Sequence, residues 1–197
     1  AWLGWRLRER RGRWLVALLL AGCLVFAWAR FVEPQRIHVQ ETVLTGTGAQ
    51  ARLVLVSDLH LGVYKDRAYL QRLVDRINTL RADAVVIAGD FTYEPDGEPL
   101  APMFAPLGSL RKPVYAVMGN HDQQAPGPDI DAELRAALAT HGVQVIEGRT
   151  VTVRGFGVAG LGDRWAGKDD PGFLAARPAS GPTLVLAHNP DSVIALD

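Results

Sequence analysis

Six positions in this chain carry side chains that can hold a metal ion or move a proton: Asp58, His60, Asp90, Asn120, His121 and His188. All stand at or just beyond the end of a short apolar run. "LVLV" leads into Ser57-Asp58-Leu59-His60, "VVIA" into Gly89-Asp90, "VYAVM" into Gly119-Asn120-His121-Asp122, and "LVLA" into His188-Asn189-Pro190. Carboxylates, imidazoles and amides are costly to bury without partners. Two aspartates, two or three imidazoles and an amide make a mixed oxygen and nitrogen donor set. Such a set suits manganese, iron or zinc rather than calcium or a soft metal.

Taken singly, each position has a plainer reading. Asp58 can cap a helix, Asp90 can serve a turn, and Gly119-Asn120 can form a left-handed turn. His60 and His188 can be hydrogen-bonded core histidines. The ordered set is more specific. Gaps of 32 and 30 residues separate Asp58, Asp90 and Asn120, a spacing that fits successive strand–helix units. In an α/β sheet the carboxyl ends of the strands gather along one edge, where ligands bind. The six residues are therefore expected to converge.

The elements that would position them are legible in the hydropathy pattern. "RIHVQETVL" (36–44) alternates at period two and predicts a half-buried strand. "RLVLVSD", "AVVIAGD" and "PVYAVMGN" predict buried strands. The stretch 66–80 places Tyr69, Leu70, Leu73, Val74, Ile77 and Leu80 on one helical face. The stretch 129–142 predicts an amphipathic helix stopped by Gly142. "VQVI", "TVTVRG", "FGVAGLGD" and "TLVLAH" predict further strands near the end. Apolar strands alternating with helices give an α/β fold with a sheet covered on both faces.

The first 35 residues read differently. An uncharged run from Trp14 to Ala29 spans about 24 Å as a helix, against a hydrocarbon core of roughly 30 Å. Arg13 and Arg30 can snorkel at its ends, with Trp14 and Trp28 at the interfaces. "LAGC" (20–23) is similar to a lipoprotein processing box, but "LVFAWARF" follows where a polar tether is expected. Arg10-Arg11 resembles a twin-arginine signal, but Arg13 stands where an apolar residue is expected. A cleaved signal peptide is the rival reading, and a retained anchor is preferred. Five arginines, Arg6 to Arg13, precede the run and two, Arg30 and Arg36, follow it. The positive-inside bias leaves the N-terminus in the cytoplasm and the rest of the chain outside. The expected organisation is an anchor over 1–35 and a catalytic domain over 36–197.

Charge and cysteine content exclude other classes. The chain has formal net charge zero, and residues 1–35 hold a net +4, so the remainder holds −4. A nucleic-acid-binding domain would be basic. Cys23 is the only cysteine, which excludes an intramolecular disulfide and a cysteine-based zinc site.

"DLHLG", "GDF", "GNHD" and "HNPD" occur in the order of the signature blocks of calcineurin-like metallophosphoesterases. The resemblance covers about 37–197 and is nearest to the membrane-anchored branch, whose "GLGDRWAG" (160–167) and "LVLAHNPD" (184–191) blocks also look alike. It implies an αββα sandwich, two packed mixed sheets flanked by helices, with two divalent metal ions at the strand ends. Carried onto this chain, Asp58 and His60 would bind one ion, Asn120 and His188 the other, and Asp90 would bridge them. Two adjacent ions can share a hydroxide near neutral pH and clamp phosphate oxygens. His121 would contact the phosphate or protonate the leaving oxygen, and Asp122 would orient His121.

One departure stands out. The family ends its site with a Gly-His-x-His block, and no histidine follows His188 here. Truncation after Asp197 is the expected reason. His141, at a helix end, and His38, in the first predicted strand, read as structural. The functional expectation is a membrane-anchored, binuclear-metal phosphodiesterase acting on a lipid-linked or envelope phosphate ester at the bacterial cytoplasmic membrane, with its domain on the periplasmic side. A catalytically silent metal-binding or scaffold domain is the alternative. The loops 91–102 and 123–129 leave the same edge, and Tyr93, Glu94 and Arg164 are candidate substrate contacts, although solvent-facing loop residues are the plainer reading.

Overall fold

The computed structural model describes residues 2–48, 50–95, 97–123, 129–176 and 181–196. The chain clusters into two units, Ala1–Glu41 and Thr42–Asp197.

In the first unit a long helix, α1 (Trp2–Ala27), runs on through one wide turn (Trp28–Val32) and a short 3-10 stretch (Glu33–Gln35). Residues Gly12–Gln35 form a 24-residue helical stretch long and apolar enough to cross a membrane, and none of it is buried. At 1.5 Å per residue it covers about 36 Å, longer than the uncharged run alone allows. The extension ends in a polar and aromatic cluster. Trp28 Nε1 donates to Glu33 Oε2 at 3.1 Å, Arg36 pairs with the same oxygen at 3.3 Å, and its guanidinium lies 5.7 Å from the Trp28 ring centroid. Amphipathic rings and snorkelling cations of this kind suit a membrane–water boundary.

The predicted strand over 36–44 does not form. Residues 36–45 carry no regular structure, and Val39, Val43 and Leu44 are exposed. Alternation makes a strand only when a neighbour pairs with its backbone, and among the described residues none does. His38 therefore lies on an exposed connecting segment rather than in a strand.

The second unit is built on a four-stranded sheet in the order β1 (Leu53–Val56), β3 (Ala84–Ala88), β5 (Val114–Val117), β6 (Val143–Val145), parallel throughout. Parallel pairs need crossovers, here α2 (Arg67–Asn78), α3 (Leu100–Phe104) and, after the single turn α4 (Asn120–Gln123), α5 (Asp131–Thr140). The Asp66 carboxylate accepts from Tyr69 N at 2.8 Å and caps α2. The apolar face predicted for α2 is buried from Tyr69 to Ile77. Helix α5 stops at His141-Gly142, the glycine taking a left-handed φ of 76°. His141 Nε2 bonds the Ala101 carbonyl at 2.6 Å, a structural tie to α3.

A second sheet orders β7 (Arg149–Val153), β8 (Phe156–Gly160) and β9 (Thr183–Leu186), with β7–β8 antiparallel and β8–β9 parallel. The two sheets pack face to face. Ala84, Val86, Ala88 and Val117 of the first meet Val153, Phe156, Val158 and Leu186 of the second, with Ile146 between. All five residues of β3 are buried, as a central strand covered on both faces requires. A two-stranded parallel ledge, β2 (Leu61–Gly62) with β4 (Thr92–Tyr93), lies just beyond the ends of β1 and β3.

Candidate metal centre

The ends of β1 and β3 are held together past the regular ladder. Asp58 N donates to Gly89 O at 3.1 Å, His60 N to Asp90 O at 2.9 Å, and Leu61 N to Phe91 O at 2.9 Å. Along this stretch Asp58, His60 and Asp90 adopt left-handed backbones, with φ of 56°, 47° and 54°. Each costs about 1 to 3 kcal/mol and persists only where the surroundings over-determine it. Lys65 adds a brace, its Nζ donating to the Asp58 carbonyl at 3.0 Å. Burial lowers the Lys65 pKa below the ordinary lysine value, against the pull of Asp58.

Asp90 is the hub. It is 3% exposed, and its Oδ2 lies 2.9 Å from His60 Nε2. Its Oδ1 lies 3.4 Å from His188 Nε2 and accepts from His121 N at 3.1 Å. Burial alone would push the Asp90 carboxyl up; the His60 hydrogen bond, the His188 charge and the His121 amide outweigh it and hold it below its ordinary value.

His188 ties the end of the second sheet to this hub. Its Nδ1 is 2.8 Å from the Ala88 carbonyl, which can only accept, so Nδ1 carries the proton. Its Nε2 faces Asn120 Oδ1 at 3.2 Å and Asp90 Oδ1 at 3.4 Å. One ring nitrogen, one amide oxygen and one carboxylate oxygen thus converge, a donor set that a cation can use. Two groups of donor atoms, each within 4.8 Å of one another, share Asp90: His60, Asp90 and His121, and Asp58, Asp90 and His188. Oxygen and imidazole donors in this proportion fit a divalent transition metal. This grouping sets His60 with His121 and Asp58 with His188, whereas the resemblance pairs Asp58 with His60. His60 Nε2 is 3.8 Å from Asp58 Oδ1.

Gly119 lets the β5 loop reach this hub. A Cβ there would sit 2.1 Å from Asp90 Oδ1 and 2.5 Å from Asp90 N. Asp122, fully buried, holds the loop from below. Its Oδ1 accepts from Thr92 N at 3.0 Å and Thr92 Oγ1 at 3.2 Å, and its Oδ2 accepts from Gly119 N at 2.9 Å. Both oxygens are thus spent on the ledge and on Gly119, and the expected bond from Asp122 to the His121 ring is not made. The ring is placed instead by the Tyr93 ring, centroids 4.9 Å apart, and by His60 at 5.2 Å. Burial pushes the Asp122 carboxyl up to about 7, against the pull of its three donors, with Asp90 adding to the rise. Asp122→Ala would strand two buried N–H groups at about 1 to 3 kcal/mol each, partly offset by removing a buried carboxyl. A net loss of about 2 to 4 kcal/mol is expected in chemical denaturation, and wild-type stability in this variant would contradict the assignment.

Of the candidate substrate contacts, Tyr93 reaches the site, Glu94 is exposed beside it, and Arg164 pairs with Asp169 in its own loop at 3.1 Å. Residues 124–128 of the 123–129 loop, and Asp96 of the 91–102 loop, lie outside the described residues. Sequence reasoning missed Lys65, Thr92 and Tyr64. Their roles depend on partners brought close only by the fold.

A sequence model of the calcineurin-like phosphoesterase family matches residues 51–194. A Danio rerio transmembrane protein with metallophosphoesterase domain is 32% identical over 71% of this chain and 35% of its own length. Phosphodiesterase YaeI of Escherichia coli is 25% identical over 93% of this chain and 70% of its own. UDP-2,3-diacylglucosamine pyrophosphatase LpxG of Chlamydia muridarum is 24% identical over 91% and 70%. The chain thus spans about a third of the zebrafish relative's length.

Proposed function

The chain belongs to the calcineurin-like phosphoesterase family, and on that premise we propose that it is a binuclear-metal phosphodiesterase. The observation that carries this reading is Asp90, one buried carboxylate shared by two donor groups through its two oxygens. Asp58, His60, Asp90, Asn120 and His188 would hold two divalent ions of manganese, iron or zinc. When bound, such a pair supplies Lewis-acid stabilisation of phosphoryl charge and a water acidified toward neutrality.

The protein's own groups do the rest. Asp90 lends negative charge to the centre while the His60 and His188 contacts fix its plane. Asn120 and the Ala88 carbonyl orient His188. His121 stands beside the hub, its amide bonded to Asp90 and its ring against Tyr93. In that position it can give a proton to the leaving oxygen as the P–O bond breaks and the new P–O bond to water forms. His121→Ala in the full-length protein is expected to lower kcat for bis(p-nitrophenyl) phosphate by about 10²-fold and to leave the manganese stoichiometry unchanged. A lost ion would make His121 a ligand, and an unaltered kcat would remove it from the mechanism.

The organisation we favour is an anchor over 1–35 and a phosphoesterase domain over 36–197. The exposed apolar helix and the transmembrane name of the zebrafish relative support anchoring. The arginine-rich N-terminus supports a cytoplasmic N-terminus with the domain on the opposite side, and the membrane we favour is the bacterial inner membrane, with the domain in the periplasm. An anchored site suits an ester carried by the same membrane, and the LpxG name supports a lipid-linked phosphate as substrate.

A further inference from the structure

Four aromatic rings form a row beside Asp90. His60 and His121 meet edge to face, and Tyr93 touches both, at centroid distances of 5.6 and 4.9 Å. Tyr64 continues the row at 5.1 Å from Tyr93. The tyrosines belong to the β2–β4 ledge and the turn after it, where Val63 N donates to Tyr93 O at 3.3 Å. Tyr93 is partly buried, whereas Tyr64 is 44% exposed and its neighbour Val63 49%. The row thus leads from a candidate metal ligand to an exposed apolar ring within two ring contacts.

This row does more than fill space. Tyr93 is the positioning residue, wedged against both imidazoles. Tyr64 is backed by Tyr93, so it is held as a platform rather than left as a swinging side chain. A tyrosine has few torsions to freeze, and a backed ring offers rigid contact area at little entropic cost. A tilted or offset neighbour is what the ring's quadrupole prefers. The row also runs outward from the hub. The phosphorus must lie by Asp90 and His121, and Tyr93 and then Tyr64 follow from His121 at successive centroid steps of 4.9 and 5.1 Å.

We propose that Tyr64 and Tyr93 form a subsite for one ester substituent of the phosphodiester, and that the substituent it selects is a flat ring, stacked on Tyr64. The subsite rests on the phosphodiesterase reading above and specifies the substrate class at that same site: a diester with an aryl or heteroaryl group near the phosphorus.

The test uses the full-length protein with manganese and two diesters that share p-nitrophenolate as leaving group. One carries a phenyl ester, the other a cyclohexyl ester of similar bulk that is not flat. Tyr64→Ala is expected to lower the phenyl-over-cyclohexyl ratio of kcat/KM about three- to tenfold, through KM of the phenyl diester. Tyr64→Phe, which keeps the ring, is expected to hold the ratio. Tyr64 is exposed enough that truncation leaves the core intact. An unmoved ratio in Tyr64→Ala, with both diesters still cleaved, overturns the flat-ring subsite and leaves the phosphodiesterase reading standing. An equal loss on both diesters overturns a subsite for the retained substituent too, since bulk or the shared p-nitrophenyl ring would then account for the contact. If the wild-type protein cleaves neither diester, the phosphodiesterase reading falls and the subsite with it.

Discussion

Asp90→Asn is expected to lower metal-dependent phosphodiester hydrolysis on the order of 10³-fold or more, about 4 kcal/mol of barrier at 1.36 kcal/mol per decade, while the protein stays folded. The substitution keeps size and shape but removes the charge and one acceptor. As a carboxylate, Asp90 meets His60 through one oxygen, and His188 and the His121 amide through the other. An amide can present an oxygen to only one side and must turn an NH₂ toward the other. Whichever way it flips, one donor group loses its shared oxygen and the centre loses a negative charge. The fold does not depend on that charge, because the sheets close on Ala84, Val86, Val117 and Val158. A circular dichroism spectrum and cooperative melt like the wild type, together with lost activity, are the predicted result. A variant that retains more than a tenth of wild-type activity would contradict the role given to Asp90.

Gly119→Ala is expected to damage both stability and chemistry. The new methyl would fall 2.1 Å from Asp90 Oδ1, 2.5 Å from its backbone nitrogen and 2.8 Å from Cγ. Neither side can give way freely. Asp90 is fixed by three contacts, and the Gly119 amide is tied to buried Asp122 at 2.9 Å. Overpacking of a closed site costs about 1 to 3 kcal/mol, or about 2 to 12 °C in Tm for a domain of this size. A shift of about 1 Å in catalytic groups can cost 10²-fold in rate, and Asp90 must move about that far. Gly142→Ala separates the two effects. Gly142, unlike Gly119, has a left-handed φ, but no atom lies within 4 Å of its added Cβ, so that variant should lose some stability and keep its metal affinity. Thermal melts with and without manganese, and calorimetric titration of the ion, read both. Equal metal affinity in Gly119→Ala and the wild type would refute the close approach.

Much of this was legible along the chain because a buried strand is recorded locally. "AVVIA" reads as a fully covered strand and becomes one, and the polar residues after each run follow the strand ends to one edge. What was not legible depends on meetings between loops some 30 residues apart. The 36–44 segment alternates as a strand should, but its alternation could not say that no neighbour would pair with it. Asp122 looked like a partner for its neighbour His121. Its donors are instead Thr92, 30 residues away, and the Gly119 amide. The left-handed backbones of Asp58, His60 and Asp90 have no signature in residue type, since they are imposed by the ladder joining the two loops. Lys65 and Tyr64 carried no motif, and their parts come from a turn that folds back over Asp58 and against the β4 ledge.

The claim on which the rest depends is that Asp90 is shared by two neighbouring metal ions. The most direct measurement is the electron paramagnetic resonance spectrum of the full-length protein titrated with manganese, beside its Asp90→Asn variant. Two ions a few ångströms apart across one carboxylate should give two manganese per chain with the spectrum of a coupled pair, and the variant should lose that coupling. A wild-type protein that saturates at one manganese, or that binds two with the signal of isolated ions, would contradict the account.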